Sequence, residues 1–264
     1  MFRGFELKID ESSFSADYDP DAFFKNEGLC QQSGFQRYYE KLLRSVTEDA
    51  TFSINGNEIE DIWFPKDAGH YHVFLSHSHN DKDLAVSIAG ILKQKMNLDV
   101  FIDSLVWGFR DQLVRLLYDK TGRLNDTVSS IYAHVDCMLT KSLVEMMDSC
   151  ECLLFLNTPQ SVSIKDAVRH THSPWIYAEL EASRFLRRHK DEARRDRLVV
   201  GYVTLSEKEA SAMPNISYEI PEHLSKISYA QFSRWMTYSR GRKNFDALDK
   251  LYQLIPIAPE TTML

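Results

Sequence analysis

The chain has 264 residues, 31 Lys and Arg against 38 Asp and Glu, and 44% hydrophobic residues. That length allows one large domain or one domain with an appendage, and the apolar fraction excludes wholesale disorder. No run approaches the roughly 18–20 uninterrupted apolar residues of a membrane helix, and a net charge of −7 without a basic stripe argues against nucleic acid as a partner.

The charge is unevenly spread. Residues 1–68 hold 14 acidic and 7 basic side chains, whereas residues 69–264 hold 24 of each. The opening MFRGFELKIDESS has no apolar core and turns acidic at once, so no secretory signal is expected. Cys30, Cys137, Cys150 and Cys152 form neither a C-x-x-C motif nor a regular framework, which points to a reducing compartment and a cytoplasmic location.

In the first 68 residues, Asp19-Pro20-Asp21 is a plausible helix start. Phe35, Tyr38, Tyr39, Leu42, Leu43 and Val46 recur at helical spacing. A turn at Asn55-Gly56-Asn57 and a linker at Pro65-Lys66-Asp67 follow. The segment is short and acidic for a core of its own, so it reads as a mainly helical extension packed on the main domain.

From His70 the rhythm changes. Residues 71–76 read as a strand, Asp81 sits where a helix cap belongs, and Leu84, Ile88, Ile91, Leu92 and Met96 mark a helix. Residues 98–103 are a second strand, Met138, Leu139, Leu143, Met146 and Met147 a helical stripe, and residues 152–156 a third strand. Ser173-Pro174 opens a helix running from Trp175 to Arg188. The basic run from Arg184 to Arg197 reads as its solvated end, where cations suit the helix dipole. Residues 198–203 are a fourth strand, residues 227–230 a short edge strand, and Phe245, Leu248, Leu251, Tyr252 and Leu254 a closing helix. Strands alternating with helices predict βαβ units and a parallel sheet covered on both faces. Ligands then belong at the carboxyl ends of the strands: residues 76–81, 103–108 and 157–161.

Several of these pieces resemble a known family. His72-Val73-Phe74-Leu75-Ser76-His77-Ser78 is similar to the first strand and loop of a TIR (Toll/interleukin-1 receptor) domain. Asp99-Val100-Phe101-Ile102-Asp103 resembles its second strand, with residues 104–109 as the following loop. Ser173-Pro174-Trp175-Ile176-Tyr177-Ala178-Glu179-Leu180 is similar to the family's Trp-x-x-x-Glu helix. Pro221, Leu224, Ile227 and Tyr229, then Phe245 and Leu248, resemble its last strand and helix. The likeness is nearest to bacterial TIR proteins of the antiphage-defence (Thoeris) type, with Phe155-Leu156-Asn157-Thr158-Pro159 in support. It implies a flavodoxin-like α/β TIR domain over 69–257, an acidic extension over 1–68 and a tail over 258–264. The expanded polar stretch 111–149 and the extension depart from the compact receptor pattern.

The resemblance also implies a chemistry. Catalytic TIR domains cleave the nicotinamide–ribose bond of NAD+, through a transition state resembling an oxocarbenium ion that a carboxylate stabilises. Glu179 is the expected carboxylate, four residues after Trp175 on one helical face, whereas Glu181 points elsewhere. An ordinary surface glutamate is the plain alternative. Trp175 is expected on the nicotinamide or ribose face, or in core packing. Ser76, His77, Ser78 and His79 are placed to reach phosphate or ribose, or, for the serines, to cap the next helix. Asp103, Ser104, Trp107 and Gly108 complete the expected substrate-binding set, with Trp107 alternatively an interface anchor.

His70, His72, His77 and His79 invite a metal reading, yet no carboxylate or cysteine stands at a zinc spacing, so no metal is expected. No G-x-G-x-x-G or Walker motif is present, so NAD+ is expected as substrate and no cofactor is called for. Expected partners are other copies of the chain through TIR surfaces and an effector that senses a linear or cyclic ADP-ribose product. Two other readings stay open: a non-catalytic TIR assembly module, and a nucleoside deoxyribosyltransferase-like enzyme.

Overall fold

Strands that are apolar on both faces need cover on both sides, and here they line up in one parallel sheet between two helical layers. The computed structural model describes residues 3–9, 14, 71–102, 108–120, 128–165, 168–186 and 217–256. In chain order its strands are β1 (Arg3–Lys8), β2 (Val73–Ser76), β3 (Val100–Ile102), β4 (Cys152–Asn157), β5 (Ser163–Lys165), β6 (Val168–Thr171), β7 (Tyr218–Glu219) and β8 (Ser225–Ser228). Its helices are α1 (Lys82–Met96), α2 (Gly108–Lys120), α3 (Val128–Ser149), α4 (Pro174–Phe185), α5 (Tyr229–Tyr238) and α6 (Phe245–Leu254). A 3-10 turn at His79–Asp81 precedes α1. Among the described residues no helix is long and apolar enough to cross a membrane.

The main sheet has the order β3-β2-β4-β1-β8, all parallel. A second, antiparallel sheet of β5, β6 and β7 stands beside it. The expected α/β architecture with a parallel sheet flanked by helices is thus present, and its strand arrangement is compatible with a flavodoxin-like fold.

Side chains alternate across the sheet with the two-residue period of a strand. Phe74, Phe101, Leu153 and Phe155 face α2, α3 and α4. Val73, Leu75, Val100, Leu154 and Leu156 face α1, α5 and α6. In α3, buried residues recur every four positions, at Ile131, Val135, Leu139, Leu143 and Met147. The stretch 111–149, expected as a polar expansion, therefore contains two helices that bury an apolar face against the sheet. Gly108, expected in a loop, is the first residue of α2.

The largest departure lies at the N-terminus. Sequence patterning assigns Arg3–Lys8 to an extension outside the sheet. Instead it forms β1, between β4 and β8, pairing with both. Phe5 and Leu7 are fully buried against the α5–α6 layer. Charged residues at positions 3, 6 and 8 mask this strand in a hydropathy reading, because only every second residue enters that layer. Gly4 and Glu6 lie on the opposite face. A Cβ at Gly4 would come within 2.5 Å of Leu224 Cδ2. The expected helix over 35–46, the turn at 55–57, the linker at 65–67 and the strand at 198–203 lie outside the described residues.

The edge strand expected at 227–230 is shifted. It ends at Ser228, whose hydroxyl accepts the Gln231 N–H while the Gln231 side chain accepts the Ser228 N–H. This capping box starts a helix at Tyr229. Trp235 Nε1 then donates to the Ala247 carbonyl at 2.7 Å and ties α5 to α6.

Candidate functional site

From β2 the chain moves outward to β3, then returns past β2 to β4 on its other side. The carboxyl ends of β2 and β4 therefore meet at a topological switch point, the place where open α/β sheets bind their ligands. Ser76, the last residue of β2, is opposite Phe155, so Asn157 and Thr158 of the β4 loop project just beyond it.

Glu179 reaches this edge from α4. Ser173 caps the helix by accepting the Ile176 N–H, and Pro174 occupies its first turn, where a missing N–H costs nothing. The helix buries Ile176, Glu179, Leu180 and Ser183, which recur at helical spacing on one face. A carboxylate thus sits in an otherwise small or apolar stripe, and it is only 3% exposed. Ser76 Oγ donates to Glu179 Oε2 at 2.6 Å. A hydrogen bond this short fixes the direction of the carboxyl group. Glu181, two residues on, is instead engaged on the outside by Arg184 at 2.9 Å. The plain alternative of an ordinary surface glutamate does not describe Glu179.

The other expected residues are placed less uniformly. His77 is buried, Ser78 is half-buried in extended conformation, and His79 is exposed at the start of the 3-10 turn. Trp175 is half-buried against the apolar layer formed with α2 and α3. Asp103, Ser104 and Trp107 lie outside the described residues, as does His70. His72 Nδ1 accepts the Asp99 N–H at 3.0 Å, and its ring meets Phe245 edge-on. Among the described residues, no group of three or more His, Cys, Asp or Glu is placed to hold a metal ion.

Asp81 departs from its expected role. It occupies the N-cap position of α1, yet its side chain makes no capping bond. Its Oδ2 accepts the Thr158 hydroxyl proton at 2.5 Å. Thr158 Oγ1 in turn accepts the N–H groups of Gln160 and Ser161, both at 3.1 Å. Ser161 Oγ accepts the Thr158 N–H at 2.9 Å and donates to the Leu156 carbonyl at 2.8 Å. This buried network clamps the loop after β2 to the loop after β4 at the switch point. Thr158 and Ser161 fall in the 157–161 stretch that the strand-end rule marks. Their pairing with Asp81 carries no sequence signal.

A second network lies further along the same edge. Glu6 on β1 is 5% exposed. Its Oε1 accepts from Asn157 Nδ2 at 2.5 Å and Arg169 Nη2 at 2.7 Å, and its Oε2 from Arg169 Nη1 at 3.1 Å. The bidentate pair joins residues 163 positions apart, so only the fold reveals it.

No family model, no curated protein and no solved structure matches the chain.

Proposed function

We propose that this protein is a TIR-domain NAD+ glycohydrolase or cyclase of the antiphage-defence type, with Glu179 as its essential carboxylate. The observation that supports this most directly is the buried Glu179 carboxylate, oriented by Ser76 at 2.6 Å, at the switch-point edge of a parallel sheet. The resemblance of residues 72–78, 99–103 and 173–180 to TIR motifs supplies the reaction class.

In this reading the C–N bond between ribose and nicotinamide breaks with its electron pair going to the ring nitrogen, so a cationic ring leaves as a neutral base. Positive charge then develops on the ribose. Glu179, already desolvated and held in place, stabilises that charge with no reorganisation at the moment of reaction. A ribose hydroxyl donates to the carboxylate that Ser76 holds in place. Water attack at the anomeric carbon gives linear ADP-ribose, and attack by a nucleophile within the substrate gives a cyclic product. The product serves as a signal to an effector, and self-association of TIR surfaces is the expected means of activation.

The test is chromatography of NAD+ incubated with wild-type protein and with Glu179→Ala, at low and high protein concentration. Nicotinamide release is expected from the wild type and should fall at least about 100-fold in the variant. Release that survives in Glu179→Ala, or no release at any concentration or in infected-cell extracts, overturns the reading. A non-catalytic assembly module would then take its place. Turnover of free nucleosides with NAD+ left intact would point to deoxyribosyltransferase chemistry.

A further inference from the structure

Beginning at β4, the strand next to that of Ser76, the carboxyl ends of β4, β1 and β8 and the β5–β6 hairpin border a cavity of about 620 Å³. Its wall includes Glu6, Lys8, Asn157, Arg169, Lys226 and Tyr229. The volume falls in the range of roughly 300–1,000 Å³ typical of small-molecule sites. The register explains why these residues meet. Asn157, Lys8 and Ser228 are the last residues of three adjacent parallel strands and stand side by side.

The charges in this wall are unequal. Among the described residues Glu6 is its only carboxylate, and both Glu6 oxygens accept hydrogen bonds from Arg169 and Asn157. Glu6 holds Arg169 in the inner wall, and Glu222 reaches the same guanidinium from outside at 3.5 Å. Lys8 and Lys226 are both exposed and give the cavity its positive charge. Lys226 pairs with Glu222 at 3.4 Å, but both side chains are about 60% exposed. A pair of that kind is worth little and yields to a more highly charged anion. Tyr229 adds apolar surface beside these cations, which suits a ligand with one ionic and one flat apolar end.

The geometry points to a second ligand site, across β4 from Ser76 and Glu179 and sharing the Asn157–Thr158 loop with the switch point, that takes a nucleotide-sized organic phosphate. The phosphate lies between Lys8 and Lys226, and a planar base packs against Tyr229. Paired polar groups of Glu6 and Asn157 meet the sugar hydroxyls between them. Binding at this site does not depend on NAD+ cleavage.

Calorimetric titration of the full chain with ADP, and separately with inorganic phosphate, tests it. ADP is expected to bind more tightly than inorganic phosphate. Lys8→Gln and Lys226→Gln should each weaken ADP binding about tenfold, the loss of one charge-assisted hydrogen bond. Glu222→Gln, which releases Lys226, should tighten binding, and it provides a gain-of-function reading if a lysine variant folds poorly. No ADP binding at millimolar concentration overturns the inference, as does equal affinity in the wild type and both lysine variants. Inorganic phosphate binding as tightly as ADP would also overturn it, since the cavity would then recognise no more than a simple anion.

Discussion

The placement of Arg3–Lys8 at the heart of the sheet makes a sharp prediction about Phe5. Its ring is fully buried and stacks on Tyr252 with centroids 5.9 Å apart and planes 7° from parallel. The Arg3 guanidinium lies over the same ring at 4.6 Å from its centroid. Neighbouring β4 and β8 hold the backbone on both sides, so the site cannot collapse readily around a truncated side chain. Phe5→Ala should then cost about 3–5 kcal/mol, the range for an aromatic residue removed from a packed core. Against a total stability of about 5–15 kcal/mol, that is a large fraction. With about 2–4 °C per kcal/mol for a protein of this size, the melting temperature should fall by about 6–20 °C. Circular dichroism during thermal and urea unfolding measures both quantities. Ile164→Ala is the control, since Ile164 is 75% exposed, and a change there should stay within about 0.5 kcal/mol. If Phe5→Ala costs under about 1 kcal/mol, no better than a surface change, β1 is not a central strand and the order β3-β2-β4-β1-β8 is wrong.

Glu6→Ala should cost about 1–3 kcal/mol in urea unfolding, because Arg169, 15% exposed in its side chain, loses its bidentate partner and keeps only Glu222 at 3.5 Å. Ser76→Ala should lower nicotinamide release about tenfold while the far-ultraviolet spectrum is unchanged, because the carboxylate loses one hydrogen bond to a charged group. Burial pushes the Cys150 thiol up from its ordinary 9.0 to about 12, and burial likewise raises that of Cys152. The unfolded thiol therefore ionises first, so the contribution of Cys150 to stability is complete below pH 9 and is lost as pH rises toward 12. Urea midpoints of the wild type should fall more steeply than those of Cys150→Ala between pH 8.5 and about 10.5. Iodoacetamide at pH 8 should modify Cys137, which is exposed, and leave Cys150 and Cys152 intact until the protein unfolds.

These expectations separate two kinds of information. Periodicity is enough for α4, for the stripe of α3 and for β2, β3 and β4, because their burial is continuous or regularly spaced along the chain. The Ser173-Pro174 start and the Trp175–Glu179 spacing place Glu179 on a definite helix face, and the strand-end rule places Ser76, Asn157 and Thr158 at an edge. β5 and β6 carry no such signal. Their residues, SIK and VRHT, are short and polar, and a strand paired on a small exposed sheet needs little hydrophobic content.

By itself the sequence determined the elements whose burial repeats locally: alternating strands and helices, a parallel α/β class, and a capped helix carrying a glutamate four residues after Trp175, whose burial the structure then supplied. Only the tertiary structure decided what those residues meet. It put the first strand of the chain between the fourth and the last, turned Asp81 from a helix cap into an acceptor for Thr158, and brought Glu6 to Arg169. The physical reason is the range of the forces involved. Helix and strand periodicity are set by neighbours within a turn or two, whereas strand order and the pairing of buried polar groups join distant chain segments, 77 residues apart for Asp81 and Thr158 and 163 for Glu6 and Arg169, which sequence spacing does not encode.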